Sequence, residues 1–471
     1  MAERSYHMTP DEFRRWGRET VEWVARYMER VEDMPVRSTV APGEIRSRLP
    51  ANAPDEAEAF DNVLADLDEI VLPGITHWQS PNWFAYFPAN ASGPAILGDL
   101  VASGLGVQGM LWATSPAGTE VETHVLDWLV DLMGLPAAFR STGPGGGVIQ
   151  DTASSAALCV IVAARHRAVG DDVAALPWLR AYTSSQAHSS VEKGIRIAGL
   201  APEQLRLIDV DDELAMRPEA LAAAIKEDWE AGLMPFLIVA TAGTTSSMAF
   251  DPVPPIGDIC QRHGLWLHVD AAMAGSAALM PEYRWVAAGA ELADSWCFNP
   301  HKWLFTNFDC DVLWVADRAP LLEALNIVPE YLRNEATESG AVIDYRDWHV
   351  QLGRRFRALK LWFVLRWYGA EGLRHHLREH VELAREVSGW ADADERFDRL
   401  TPTRLNLVCF AHRDGDEATQ RLLDAVNDTG RAYLTHTRIR NRLAIRMCVG
   451  QTWTERRHVE AAWKLIAERA G

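Results

Sequence analysis

Residues 265–276 read LWLHVDAAMAGS: a short apolar and aromatic run that stops at Asp270 and continues into small residues. A run of this length, flanked by Gly264 and a cluster of alanines, reads as a buried strand. A carboxylate at its end is costly to bury unless it is paired or hydrogen-bonded. For this stretch alone two readings stay open: an Asp that caps the next helix, or an anion held against a cationic ring nitrogen.

Six further runs of the same kind lie on either side. They are VIQ near 148, LRAYTS near 180, LRLIDV at 205–210, FLIVAT at 236–241, SWCFN at 295–299 and DVLWVA at 311–316. Helical stretches separate them, so the pattern predicts a mainly parallel, doubly wound α/β sheet of seven strands. Ligands on such a sheet bind beyond the carboxyl ends of the strands, which directs attention to the residues just after each run.

After SWCFN comes PHKWLF, with Lys302 among Trp296, Phe298, Trp303, Leu304 and Phe305. Desolvation there favours a neutral, nucleophilic amine, the form that Schiff-base chemistry needs. Only five of the 46 basic residues are lysines. Lys193, Lys226 and Lys464 sit in ordinary polar helix contexts, and Lys360 lies on an apolar helix where its stem is expected to snorkel. After VIQ comes Asp151-Thr152-Ala153-Ser154-Ser155 and a long helical run, the form of a phosphate site at a helix N-terminus, although plain N-capping is the simpler reading. His188, in SQAHSSVEKG, follows another strand and becomes a candidate to stack on a planar cofactor. Together, a carboxylate for a pyridine nitrogen, a desolvated lysine for an aldehyde and a helix start for a phosphate point to pyridoxal 5′-phosphate.

Other patterns do not survive their context. GLGVQG at 104–109 matches a dinucleotide-binding spacing but follows a helical run, not a strand. His376 and His380 have metal-ligand spacing, but charged neighbours suggest a solvated helix face, and no metal is expected. With 46 Lys+Arg against 65 Asp+Glu the net charge is −19, which disfavours nucleic acid as a partner. Six unpaired-looking cysteines, no secretory leader and no long apolar span suggest a cytoplasmic protein away from membranes.

Two amphipathic helices, one after Thr9-Pro10 and one around Phe60–Ile70, are too short to bury their apolar faces alone. They are expected to pack on another chain or on the main domain, and the chain reads as a helical N-terminal segment over 1–90, a large α/β domain over 91–359, and a small α+β domain over 360–471. The polar stretch 326–345 reads as a long surface loop acting as a lid, and the helix after it is expected to end at Gly369.

Several long segments then fall into a familiar order: LPGITHWQSPNWFAYFPA, TSPAGTEVE, GGGVIQDTAS, SQAHSSVEKG, VATAGTTSS, LHVDAAMAGSA, FNPHKWL and DYRDWHVQLGRRFRALKLWFV. Over nearly its whole length the chain resembles the aromatic L-amino-acid decarboxylases, group II of the pyridoxal-phosphate-dependent decarboxylases. The resemblance implies the aspartate-aminotransferase-like fold (fold type I). It also implies decarboxylation of tryptophan, tyrosine, phenylalanine or dihydroxyphenylalanine to arylalkylamines, by an obligate homodimer with shared sites, and that the helical segment over 1–90 is a dimerisation segment.

By the same resemblance Lys302 carries the cofactor, Asp270 pairs with its ring nitrogen and His188 stacks on the ring. Thr152, Ala153, Ser154 and Asn299 surround the phosphate, Thr241 and Ala272 touch the cofactor, and His301 approaches it. Tyr331, on the loop, returns the proton to the substrate carbon. Trp78, Tyr86, Phe87, Pro88, Ala89, Gln108, Met110 and His188 line the substrate pocket. Ala89 replaces a threonine of animal members, and Gln108 and Met110 replace an aliphatic and an aromatic residue. Aromatic acetaldehyde synthases share this fold but typically carry Phe for the loop tyrosine or Asn for the stacking histidine, so Tyr331 and His188 favour simple decarboxylation. Glutamate or diaminobutyrate decarboxylases would want charge where Trp78, Tyr86 and Phe87 stand. A catalytically dead homologue would not need Lys302, Asp270 and His188.

Overall fold

The computed structural model describes residues 6–327 and 342–471. All seven strand-like runs become strands of one sheet: β1 (Gly146–Gln150), β2 (Leu179–Ser184), β3 (Leu205–Ile208), β4 (Met234–Thr241), β5 (Trp266–Asp270), β6 (Ser295–Phe298) and β7 (Asp311–Val315). Their order is β1-β7-β6-β5-β4-β2-β3. Neighbours among β2–β6 pair in parallel, while β7 runs antiparallel to both β1 and β6. Every residue of β5 is buried, because apolar clusters cover both sides of the sheet. Leu267 and Val269 join one cluster and Trp266 the other. Alternation along the strand puts His268 and Asp270 on the Trp266 side, where the helix Ala153–Val169 contributes Ala156, Cys159 and Val160 to the same cluster.

The C-terminal part forms a second, four-stranded sheet from β8 (Phe397–Arg399), β9 (Leu407–His412), β10 (Thr435–Ile439) and β11 (Arg442–Cys448), in the order β10-β11-β9-β8. All its pairings are antiparallel. At the other end of the chain, the helix Pro10–Arg30 begins with a capping box between Thr9 and Glu12 and buries none of its residues. Trp16 packs on Phe60 at 5.1 Å, joining it to the helix Phe60–Asp66. Among the described residues, no helix is long and apolar enough to cross a membrane.

Four expectations need correction. Lys360 does not snorkel: it is 0 % exposed, with its amine 3.9 Å from Asp99. The reason is close packing of the helix Gly93–Leu105, since a Cβ on Gly98 would stand 2.7 Å from the Lys360 Cα. His380 is not on a solvated face. It is buried and accepts a hydrogen bond at Nδ1 from Trp303 Nε1 at 3.0 Å. At Gly369 the backbone turns left-handed, with φ 60°, but helix resumes at once, so that Arg357–Ala393 forms two helices across a kink. Finally, residues 328–341 of the expected loop lie outside the described residues, and its far end is core. Tyr345 is 0 % exposed, its hydroxyl 2.9 Å from Thr123 Oγ1 and the Arg354 guanidinium 4.7 Å from its ring.

Candidate active site

The turn after β6 carries Asn299, Pro300, His301 and Lys302, and it is clamped from three directions. Asn299 N donates to Ala272 O at 2.9 Å, tying the end of β6 to the end of β5. Lys302 N donates to Asn299 O at 2.9 Å. Asn90 Nδ2 donates to Lys302 O at 2.7 Å, and Asn90 N to His301 O at 2.8 Å. These bonds fix the main chain of the turn, and the Lys302 amine lies 5.6 Å from the centre of the Phe87 ring. Burial lowers the pKa of this amine, against the opposing field of Asp270. The consequence is a larger fraction of neutral, nucleophilic amine.

Asp270 is 7 % exposed and lies opposite Cys297 in the β5–β6 register. Its Oδ1 accepts from Ala272 N at 3.0 Å, with Cys297 Sγ at 3.9 Å. The carboxylate therefore closes the local turn while standing in the electrostatic field of Lys302, but it does not cap the next helix, Ala274–Leu279, which starts with no side-chain cap. His188 follows β2, its Nδ1 2.9 Å from Ser190 Oγ. Burial and then the Lys302 charge hold its pKa down, with Asp270 opposing. Lys302, Asp270 and His188, from three strand ends, share one neighbourhood.

Plain N-capping is not what Thr152 does. The helix Ala153–Val169 starts with no side-chain cap, and Thr152 N is taken by Asp151 Oδ1 at 2.6 Å. A seventeen-residue helix with an uncapped start offers partial positive charge to an anion. His301 is 2 % exposed, and burial brings its pKa down to about 3. Its Nδ1 accepts from Cys310 N at 2.9 Å, so the proton of the neutral ring sits on Nε2. Asn299 Nδ2 lies 3.0 Å from that nitrogen, donor against donor, and Oδ1 is buried without a partner, so the amide is read with its two head atoms exchanged. Offering its oxygen to the Nε2–H satisfies both groups and leaves the amide NH₂ as a free donor. Thr241 Oγ1 is buried without a partner. An uncapped helix start, a free amide head, an unpaired hydroxyl and a buried amine beside a carboxylate are a donor set that suits pyridoxal phosphate.

Of the expected substrate-pocket residues, Trp78 stacks on Tyr86 at 5.7 Å, and Phe87 reaches Lys302. Pro88 is buried, and Ala89 gives its carbonyl to Gln79 at 2.7 Å. Gln108 and Met110 belong to another neighbourhood: Gln108 Oε1 accepts from Arg354 N at 2.7 Å and Met110 O from Arg346 N at 3.0 Å. Tyr331 lies outside the described residues. Two charged residues escaped the sequence reading. Arg446, in β11, is 4 % exposed, with its guanidinium 5.5 Å from the Phe87 ring. It donates to the carbonyls of Ser246 and Thr245 and to Thr435 Oγ1, with no carboxylate partner among the described residues. The other is Asp311, fully buried at the start of β7. Arg446 interrupts an apolar strand run and Asp311 opens one, which was the available signal.

Residues 42–413 match the pyridoxal-dependent decarboxylase conserved domain. The chain is 46 % identical to a phenylacetaldehyde synthase of Arabidopsis thaliana, covering 98 % of this chain and 96 % of that protein. It is 44 % identical to the aromatic-L-amino-acid decarboxylase of Mus musculus, over 98 % of each. A crystal structure of Oryza sativa TDC with PLP and tryptamine superposes with a TM-score of 0.97 at 41 % identity, covering 99 % of both chains. The chain belongs to the pyridoxal-dependent decarboxylases. It has their fold type I architecture, its cofactor is pyridoxal 5′-phosphate, and it is a carboxy-lyase acting on aromatic amino acids, by decarboxylation or aldehyde synthesis.

Proposed function

We propose that this decarboxylase converts aromatic L-amino acids to arylalkylamines and carbon dioxide. The observation that carries the reading is the meeting of Lys302, Asp270 and His188 at three strand ends beside an aromatic wall headed by Phe87. When bound, pyridoxal phosphate supplies an electron sink for the pair of electrons left on the α-carbon as carbon dioxide departs.

The chain's own residues do the rest. Lys302, favoured as a neutral amine by burial, would hold the cofactor through its aldehyde. Asp270 would pair with the ring nitrogen, and His188 would lie against the ring. The free amide head of Asn299 and the helix start at Ala153 and Ser154 hold the phosphate, beside Thr152, Thr241, Ala272 and His301. Trp78, Tyr86, Phe87, Pro88 and Ala89 offer flat apolar surface to an aromatic side chain. Arg446, a buried cation next to Phe87 with no carboxylate of its own among the described residues, is our candidate partner for the substrate carboxylate. Tyr331 delivers a proton to the α-carbon.

A homodimer completes this reading. The helix Pro10–Arg30 buries nothing, and Leu97, Leu100, Val101 and Leu105 are exposed on the helix Gly93–Leu105. A second copy covering these faces would explain why Gln108 and Met110 sit apart from their own chain's Lys302. We divide the chain accordingly into a dimerisation segment (1–90), a cofactor domain (91–359) and a small domain (360–471). All six cysteines are free, in keeping with a reducing compartment such as the cytoplasm.

A second reading, aldehyde synthesis, has the Arabidopsis relative in its favour. That reaction consumes the amino acid, oxygen and water and yields aldehyde, carbon dioxide, ammonia and hydrogen peroxide. Product analysis on a panel of aromatic amino acids separates the two. The wild type is expected to release amine without peroxide. Tyr331→Phe, which keeps the ring and removes the acidic proton, is expected to lose most amine and gain aldehyde, ammonia and peroxide under air. Amine release at the wild-type rate by this variant would remove Tyr331 as proton donor.

A further inference from the structure

Asp311 is 0 % exposed, and neither of its carboxylate oxygens has a hydrogen-bond partner. Among the described residues no lysine, arginine or histidine forms an ion pair with it. A carboxyl group buried with neither hydrogen bond nor counter-ion is stable only in its neutral form.

Its place in the sheet gives this a consequence. Asp311 lies opposite Gln150 in the β1–β7 register, two residues before Thr152 and the uncapped start of the helix Ala153–Val169. The next residue, Val312, lies opposite Phe298, which immediately precedes Asn299. Asp311 therefore stands between the two donor groups assigned above to the phosphate. Alternation puts its side chain on the face of Leu313, which packs with Cys297 and with Cys159 of the Ala153–Val169 helix.

We propose that Asp311 is held as a neutral acid beneath the phosphate cradle, and that its neutrality sets the cradle's affinity for the cofactor's phosphate. Ionised, it would put a full negative charge beside a site whose attraction comes from one amide head and a helix start worth about half a positive charge. The residue needs no contact with cofactor or substrate; it acts through its charge. Every neighbouring element contributes a group that bears on that charge. They are Asp151 after β1, Cys159 on the following helix, Asp270 of β5, Cys297 of β6, Lys302, and Cys310 before β7. Burial, then Asp270, pushes the Asp311 carboxyl well above its usual range, with Lys302 opposing.

The inference rests on reading Ala153, Ser154 and Asn299 as the phosphate cradle, and the test keeps the two apart. Apoenzyme of wild type and of Asp311→Asn is titrated with pyridoxal phosphate, and separately with pyridoxal, from about pH 6 to about pH 10. For pyridoxal phosphate, the ratio of wild-type to variant Kd is expected near one at the acid end. It should climb on the order of tenfold at the alkaline end, as wild-type Asp311 ionises. For pyridoxal, which has no phosphate, the ratio should climb much less, since only the coupling of Asp311 to Lys302 remains. Stability gives a readout without cofactor. An acid whose folded pKa is raised loses folding stability as pH climbs from its unfolded pKa to its folded one. Apo Asp311→Asn should therefore melt above wild type, by a margin that widens through that window. Asp311→Ser, also neutral and smaller, repeats both measurements should the amide pack badly. Asn299→Ala should weaken pyridoxal phosphate and spare pyridoxal; if it changes neither, the cradle reading fails by itself. A Kd ratio independent of pH, or neutral variants that melt below wild type at every pH, would overturn the role of Asp311.

Discussion

The strand ends around Lys302 and the N-terminal arm are both rich in aromatic side chains, yet they end in opposite states. At the strand ends Trp296, Phe298, Trp303, Leu304 and Phe305 are at most 1 % exposed. On the arm Phe13 is 60 % exposed and the helix Pro10–Arg30 buries no residue. The first region is completed by its own chain: two apolar clusters close over the sheet, and backbone hydrogen bonds clamp the lysine turn. The second has no such cover within one chain, so its apolar surface is available to another. The difference teaches where each region's changes should register, in cofactor chemistry for the first and in association for the second.

The largest effect is expected from Lys302→Ala. It should leave the fold and the association state intact, abolish turnover, and leave no cofactor attached after borohydride reduction. If another residue still retained reducible cofactor, the strand ends would not be the chemical half of the comparison. Asp270→Ala comes next. Leaving a buried cationic ring nitrogen unpaired costs about 3–5 kcal/mol, or roughly two to four orders of magnitude in rate. Steady-state kinetics and cofactor retention check it, and near-normal turnover would exclude the pairing. The smallest effect should come from the arm. Phe13→Glu exchanges apolar surface for charge at a position that touches no site residue, and a covered phenylalanine is worth about 1.5–3 kcal/mol. Sedimentation should show association weakened by roughly tenfold to a hundredfold, with circular dichroism unchanged. An unaltered association state would mean that Phe13 is not covered in solution.

The seven strands were legible because a strand buried on both faces must be apolar along its whole length, as FLIVAT and LWLHVD are. Lys302 stood out because lysines are rare in this chain and its neighbours are aromatic. Lys360 was misread for a matching reason. Local sequence places it on a helix with one open face, but Gly98 lets another helix close over it. His380 fell to the same error, since its partner Trp303 is 77 residues away in sequence. Tyr345 looked like loop because polar residues precede it, whereas Thr123 and Arg354 hold it in the core.

By itself the sequence determined the strand succession, the identity of the amine and carboxylate candidates, and the family. Each is a property of residue type and local order: apolar periodicity, a lysine among aromatics, long ordered motifs. Only the tertiary structure decided how those residues are charged and what they face. Asp311 and Asp270 are both aspartates at strand ends, separated by 41 positions. One keeps hydrogen bonds from Ala272 and Cys297, while the other has none. Charge state depends on solvent exclusion and on partners brought from distant parts of the chain. No local reading of residues supplies those until the sheet has closed around them.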